Sequence, residues 1–76
     1  MKALVEHIVK ALVDQPEQVQ VEEVQEGQTL CLRLIVHPDD IGKVIGKQGR
    51  TAKAIRSVLF ASAPSEYKRV QLDIVD

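Results

Sequence analysis

The nine residues from 29 to 37 constrain the fold of this chain more than any other stretch, because they alternate with a period of two residues. One side of the extended chain is entirely apolar: Leu30, Leu32, Leu34 and Val36. The opposite side carries Cys31 and Ile35 beside one charged residue, Arg33. An apolar run of this period predicts a central strand that is paired in a hairpin with its neighbour.

Two further strands are predicted around this central one. Val19 and Val21 alternate with Gln and Glu residues, a mixture that suits a strand at the edge of a sheet. Residues 26–28 form the turn between this strand and the central one, since Gly27 sits among polar residues. A third strand near the C-terminus is predicted from a second period-two pattern: Val70, Leu72 and Ile74.

A helical spacing of apolar residues appears between residues 4 and 13 and predicts a first helix with a broad buried face. Its stripe consists of Leu4, Ile8, Ala11 and Leu12, widened by Val5, Val9 and Val13. Pro16 ends this helix, because the residue before a proline is pushed out of helical geometry.

Two more helices are predicted between the central and the third strand. The first begins at residues 38–40, where a proline fits the first turn and Asp39 and Asp40 act as capping acids at the positive helix end. Its apolar residues are Ile41, Val44 and Ile45. Gly46 ends this helix, and Gly49 precedes the next, which extends to about residue 61. The buried stripe of that last helix is Ala52, Ile55 and Leu59, flanked by Val58.

The order of elements is therefore α-β-β-α-α-β, an α+β fold. A strand joined to a later strand through helices makes a right-handed parallel crossover, so the third strand is expected to lie parallel to the central one. The result is a three-stranded mixed sheet with three helices packed on one face. A chain of 76 residues holds one domain at most, which we place at residues 1–76.

Charge is distributed unevenly along the chain, although the net charge is only -1. Residues 41–56 contain five cations and no acid, whereas the rest of the chain contains five cations and eleven acids. The five cations of this segment are Lys43, Lys47, Arg50, Lys53 and Arg56. A local positive charge of this kind favours an anionic partner.

Several function classes find no support in the sequence. No apolar run is long enough to span a membrane and the N-terminal stretch does not resemble a signal peptide, so we expect a cytoplasmic protein. Cys31 is the single cysteine, and neither His7 nor His37 has metal-ligand spacing, so no metal or other cofactor is expected. Catalytic motifs are missing as well, which indicates a binding protein and not an enzyme.

The segment between the last two helices is the most informative. Two glycines three residues apart let the backbone approach a bulky ligand, and the following helix start offers unpaired amides and a positive dipole end. Lys47 and Arg50 can contact phosphate oxygens, and Gln48 can hydrogen-bond a sugar or phosphate. These features predict a phosphate-binding turn at residues 46–49.

The string VIGKQGRTAKAI resembles the signature of the KH-domain family, in which an isoleucine-glycine-x-x-glycine turn joins two helices. The isoleucine that follows the turn in that signature is Ile55 here. The order of elements is similar to the bacterial (type II) KH arrangement over the whole chain, and the length is similar to that of stand-alone bacterial members.

The resemblance implies that the turn grips about four nucleotides of single-stranded RNA by their backbone. Bases would then lie in a groove whose apolar floor is formed by Ile41, Val44, Ile45 and Ile55, with Leu34 or Ile35 beneath. Each of these side chains fits an ordinary core position equally well. Lys43, Lys53 and Arg56 are likewise balanced between phosphate contact and a solvated helix face, while Lys47 and Arg50 are expected at the RNA.

Low sequence specificity is expected, because Phe60 and Tyr67 are the only aromatic residues and no pair on a strand can stack bases. The resemblance also implies a role as an RNA chaperone or post-transcriptional regulator. It further implies that the chain forms homodimers and pairs with a larger KH-containing protein, KhpB (Jag). A homodimer would use Ile55, Val58 and Leu59 of the last helix. The alternative function is a protein-interaction or dimerisation adaptor with a vestigial RNA site.

Overall fold

The computed structural model describes residues 1–75 and shows the α-β-β-α-α-β order that the sequence predicts. The helices and strands are α1 (Lys2–Leu12), β1 (Gln20–Glu26), β2 (Thr29–Ile35), α2 (Ile41–Ile45), α3 (Arg50–Ser62) and β3 (Arg69–Val75). Short 3-10 turns occupy Pro16–Gln18, Pro38–Asp40 and Lys47–Gly49. The α+β class is therefore confirmed.

The three strands form one mixed sheet in the order β1-β2-β3. β1 pairs antiparallel with β2, and Val21 lies opposite Leu34. β2 pairs parallel with β3, and Leu32 lies opposite Leu72. Both the central position of β2 and the parallel crossover to β3 are confirmed.

The core lies between one face of the sheet and the three helices. Its side chains on the sheet come from the even-numbered positions of β2, from Leu72 opposite them on β3 and from Val21 on β1, because alternate residues of a strand point to the same face. The buried apolar residues are Val5, Val9, Val19, Val21, Leu30, Leu32, Leu34, Val36, Val44, Ala52, Ile55, Leu59 and Leu72. Within residues 1–75, no helix has the length and apolar character needed to cross a membrane.

The buried face of α1 is narrower than the sequence predicts. Val5 and Val9 are fully buried, but Leu12 is 40% exposed and Ala11 is exposed. α1 ends at Leu12, so both exposed residues belong to its last turn. The helical spacing of seven apolar residues thus predicted the helix correctly, but it could not show which of these residues would be fully buried.

The start of α2 also differs from the prediction. Residues 38–40 form a separate 3-10 turn, and the side chain of His37, not an aspartate, caps it by accepting a hydrogen bond from the Asp39 amide (3.1 Å). Asp40 is 1% exposed and makes no capping bond to α2. The prediction that both acids act as helix caps is therefore wrong, because the Asp40 carboxylate is used in a contact with the end of α1.

Candidate nucleic-acid interface

The turn between α2 and α3 has an unusual backbone. Gly46 has φ 76° and ψ 175°, a conformation that only glycine adopts readily. Gln48 and Gly49 follow in the left-handed region, with φ 58° and 74°. A non-glycine residue in this region costs about 1 to 2 kcal/mol, so Gln48 stores local strain in the turn.

A close contact explains why position 46 needs glycine. A Cβ atom at this position would stand 2.6 Å from Cβ and 2.9 Å from the amide nitrogen of Thr51, and closer still to the Thr51 hydroxyl. At Gly49 a Cβ would meet nothing within 4 Å, so glycine is needed there for its φ angle alone. The two glycines therefore have different structural roles.

The polar side chains of the turn face solvent. Lys47, Gln48 and Arg50 are all exposed, and Arg50 Nη2 donates a hydrogen bond to Gln48 Oε1 (3.3 Å). The Gly49 amide donates to the Gly46 carbonyl (3.2 Å), which closes the turn. Because α3 starts at Arg50, its first amides and the positive end of its dipole lie directly beside Lys47.

The apolar residues expected beneath the turn divide into two groups. Val44 and Ile55 are 0% and 4% exposed and belong to the hydrophobic core. Ile41 and Ile45 are half-buried; Ile45 directly precedes Gly46 of the turn, whereas Ile41 lies at the other end of α2. Of the two strand candidates, Leu34 is fully buried in the core. Ile35 lies on the opposite face of the sheet.

Lys43 is not a free cation. Its ammonium group contacts the Asp14 carboxylate and lies 3.5 Å from Oδ1 of Asp40. The hydrogen bond to Asp14 raises the pKa of Lys43, outweighing the burial that would lower it. Lys43 therefore brings less net positive charge to the turn than the sequence indicates.

Asp40 connects the beginning of α2 to the end of α1. Its carboxylate accepts hydrogen bonds from the amides of Asp14 (3.3 Å) and Gln15 (3.1 Å). Burial alone would raise the pKa of Asp40, but these two amides and the charge of Lys43 lower it below its ordinary value. Asp40 is thus a buried carboxylate that stays ionised through its partners.

Among known protein families, the KH domain of KhpA and KhpB matches residues 2–74. The chain belongs to the KhpA/KhpB KH-domain family. It is 62% identical to the RNA-binding protein KhpA of Halalkalibacterium halodurans, with all of both chains covered. It is 57% identical to that of Clostridium acetobutylicum over 99% of this chain and 100% of the relative, and 50% identical to that of Bacillus subtilis over 100% and 94%. No solved structure matches.

In this KhpA/KhpB-family chain the remaining two cations of the segment differ in their contacts. Lys53 is exposed on α3, one turn beyond Arg50. Arg56 is exposed as well, but its Nη2 donates to the Leu72 carbonyl on β3 (3.3 Å). Arg56 therefore ties α3 to the free edge of the sheet.

Sequence reasoning missed a surface at this edge of the KhpA/KhpB-family fold. A cavity of about 550 Å³ lies along β2 and β3, and Arg56 reaches it from α3. The other residues lining it are Cys31, Leu32, Arg33, Val70, Gln71, Leu72 and Asp73. The sequence predicts that β3 lies beside the central strand, but the cavity itself depends on how the side chains of β2, β3 and α3 pack, which no sequence pattern shows.

The residues expected at a dimer interface are mostly buried in this KhpA/KhpB-family chain. Ile55 and Leu59 are 4% and 0% exposed and pack in the core of the chain. Val58 is 45% exposed and Phe60 is 70% exposed. Residues 1–75 contain no group of three or more His, Cys, Asp and Glu side chains placed to hold a metal ion.

Proposed function

We propose that this chain binds single-stranded RNA by gripping its backbone at the turn of residues 46–49. The observation that carries the proposal is the exposed Lys47 beside the start of α3, at a turn with two positive-φ glycines. The relatives' names describe RNA-binding proteins and no enzymes, which supports a binding function without catalysis.

The chemistry of the turn suits phosphate. Lys47 and Arg50 supply charge-assisted hydrogen bonds, and the amides that follow Arg50 in the first turn of α3 add uncharged donors; the Arg50 amide itself donates to the Lys47 carbonyl. Gln48 contacts sugar or phosphate once Arg50 releases its side chain. Half-buried Ile41 and Ile45 give the nearest bases an apolar surface. Lys53 continues the cationic path along α3.

Backbone contacts fix an RNA strand without reading its sequence, so the proposal includes low specificity. Few phosphates are neutralised, since Lys43 and Arg56 are engaged within the protein, and binding should therefore be of modest affinity and sensitive to salt. A protein of this kind suits the role of a cytoplasmic RNA chaperone or post-transcriptional regulator, with residues 1–76 acting as one KH domain.

Association with another chain is part of the proposal. The family description joins KhpA with KhpB, which supports a heterodimer with that larger KH-containing protein, and α3 is the surface proposed for a homodimer. Of the residues expected there, Val58 is the one with exposed apolar surface. The exposure of Val58 and Phe60 also favours the second candidate function, an interaction adaptor whose turn binds no RNA.

The two functions are separated by reversing the charge of the turn. The double variant K47D/Q48D should raise the Kd for a short single-stranded oligoribonucleotide at least about tenfold and flatten its salt dependence, because phosphate contacts are lost. The matched control K68D/Q18D makes the same charge change at two exposed residues outside α2 and α3 and should leave the Kd nearly unchanged.

Fluorescence anisotropy gives the Kd, and light scattering gives the oligomeric state of the same samples. A folded K47D/Q48D protein that binds RNA with the affinity and salt dependence of wild type would refute the RNA site. Loss of RNA binding with unchanged mass supports it, whereas a wild-type chain that dimerises and binds no RNA indicates the adaptor.

A further inference from the structure

Asp40 is the only buried charged side chain among residues 1–75. Its carboxylate makes no capping hydrogen bond to α2, although Asp40 is the residue that precedes this helix. Instead, both oxygens accept hydrogen bonds from the backbone amides of Asp14 and Gln15, just beyond the end of α1 and about 25 residues earlier in the chain. Charge-assisted bonds of this kind are among the stronger polar contacts in proteins.

α2 needs such a contact because it has only five residues. A helix this short does not hold its shape alone, so its position depends on what it packs against. Val44 is its one fully buried side chain, and Ile41 and Ile45 are only half-buried. A single apolar anchor leaves a short helix free to pivot, and Asp40 adds a second anchor at its other end.

The far end of α2 is the RNA turn. Gly46 is the residue after the helix, six positions from Asp40 and therefore about 9 Å along the helix axis. The contact of Gly46 with Thr51 leaves little room at this point. A pivot of α2 at Asp40 would therefore move Gly46 and change the direction of the Lys47 and Gln48 backbone.

We propose that Asp40 is a positioning residue for the RNA turn, which holds α2 against the end of α1 through the Asp14 and Gln15 amides so that residues 46–49 keep the geometry that binds phosphate. This inference rests on the proposed function. Asp40 itself is buried and touches no RNA.

The sign of the expected effect distinguishes positioning from simple electrostatics. Removing a negative charge near an RNA site should tighten RNA binding, because the repulsion of phosphate falls. Positioning predicts the reverse for Asp40, since an asparagine accepts one amide bond where the carboxylate accepts two, and it no longer attracts Lys43.

The test compares D40N with D39N. Asp39 is the neighbouring residue, its side chain is 82% exposed, and the two substitutions change net charge equally. D40N should raise the Kd for a short single-stranded oligoribonucleotide about tenfold, whereas D39N should leave it unchanged or lower it slightly. D40N binding RNA as tightly as D39N would overturn the proposal.

A third variant excludes a general loss of stability. V9A removes two methyl groups at a fully buried position of α1 and destabilises the fold without touching α2's polar anchor. V9A should keep the wild-type Kd while folded. A V9A chain with the same loss of affinity as D40N would overturn the positioning role. If D40N is partly unfolded, all variants are measured in a stabilising osmolyte.

NMR keeps the inference separate from the proposed function. In the absence of RNA, the amide resonances of Gly46 and Gly49 should shift in D40N and stay in place in D39N and V9A. Unchanged turn amides in a folded D40N chain would refute positioning even if RNA binding is real. If wild type binds no RNA but D40N shifts these amides, the proposed function fails and the mechanical link from Asp40 to the turn holds.

Discussion

Gly46 packs directly against Thr51, so that a Cβ at position 46 would stand 2.6 Å from the Thr51 Cβ. The contact joins the end of α2 to the first turn of α3. Because Gly46 also has φ 76° and ψ 175°, neither the space nor the backbone at this position accepts a side chain.

The first prediction concerns this glycine. G46A should lower the free energy of unfolding by about 3 kcal/mol, because the methyl group adds a clash to an unfavourable backbone conformation. It should also weaken RNA binding at temperatures where the chain is folded. Urea unfolding followed by circular dichroism measures the first effect, and anisotropy measures the second.

G42A is its matched control, since a Cβ at Gly42 meets nothing within 4 Å and the residue lies inside α2. Alanine is the better helix former, so G42A should change stability by no more than about 1 kcal/mol, in the stabilising direction. Equal losses of stability in G42A and G46A would contradict the structural role assigned to Gly46.

The second prediction separates two lysines of the basic segment. K47A should reduce the slope of log Kd against log salt by about one, the change expected for the loss of one phosphate contact, because Lys47 is exposed beside the turn. K43A should change that slope much less, since Lys43 is already paired with Asp14 and Asp40. Salt titrations of both variants check this, and a larger effect of K43A would show that RNA displaces these carboxylates.

The third prediction is a loss of stability in acid through Asp40. The folded-state pKa of Asp40 lies below the ordinary value of 3.8, because the Asp14 and Gln15 amides and Lys43 outweigh the effect of burial. Its contribution to folding is therefore present above about pH 3.8 and is lost as the pH falls through the lower folded-state pKa.

Urea unfolding of wild type and D40N across this pH range measures that contribution. The difference in the free energy of unfolding between the two chains should shrink as the pH falls, since protonated Asp40 resembles the neutral asparagine. A difference that stays constant into strong acid would show that the Asp40 charge does not stabilise the fold.

The fourth prediction distinguishes core from surface on α3. I55A should lower the free energy of unfolding by about 3 kcal/mol, because Ile55 is 4% exposed. V58A should stay within about 0.5 kcal/mol of wild type for the monomer, because Val58 is 45% exposed. If α3 forms a homodimer, V58A should also lower the dimer fraction measured by light scattering at low concentration.

Much of the fold could be predicted from periodicity. The alternation of residues 29–37 predicted the central strand, and the crossover rule predicted that β3 runs parallel to it. The spacing of Ala52, Ile55 and Leu59 correctly predicted the buried stripe of α3. These signals depend only on the order and spacing of residues in the sequence, so they can be interpreted without knowing which elements pack against each other.

Contacts between distant residues could not be predicted in the same way. Asp39 and Asp40 are chemically equal neighbours, yet one is largely exposed and the other is buried against the end of α1. Lys43 and Lys47 are equally basic, but Lys43 is paired with the Asp14 carboxylate, 29 residues earlier in the chain, as well as with its helical neighbour Asp40. The same is true of the residues predicted to form the apolar floor, since nothing in the sequence at Val44 or Ile55 distinguishes a core position from a ligand surface.

Backbone amide shifts during an RNA titration test the central claim most directly. A short single-stranded oligoribonucleotide added to the labelled protein should shift the amides of residues 46–51 most, with smaller changes at Lys53 and at the exposed end of α2. Shifts confined to the outer sheet face around Arg33 and Gln71, or an unchanged spectrum at saturating RNA, would contradict the assignment of RNA binding to the turn.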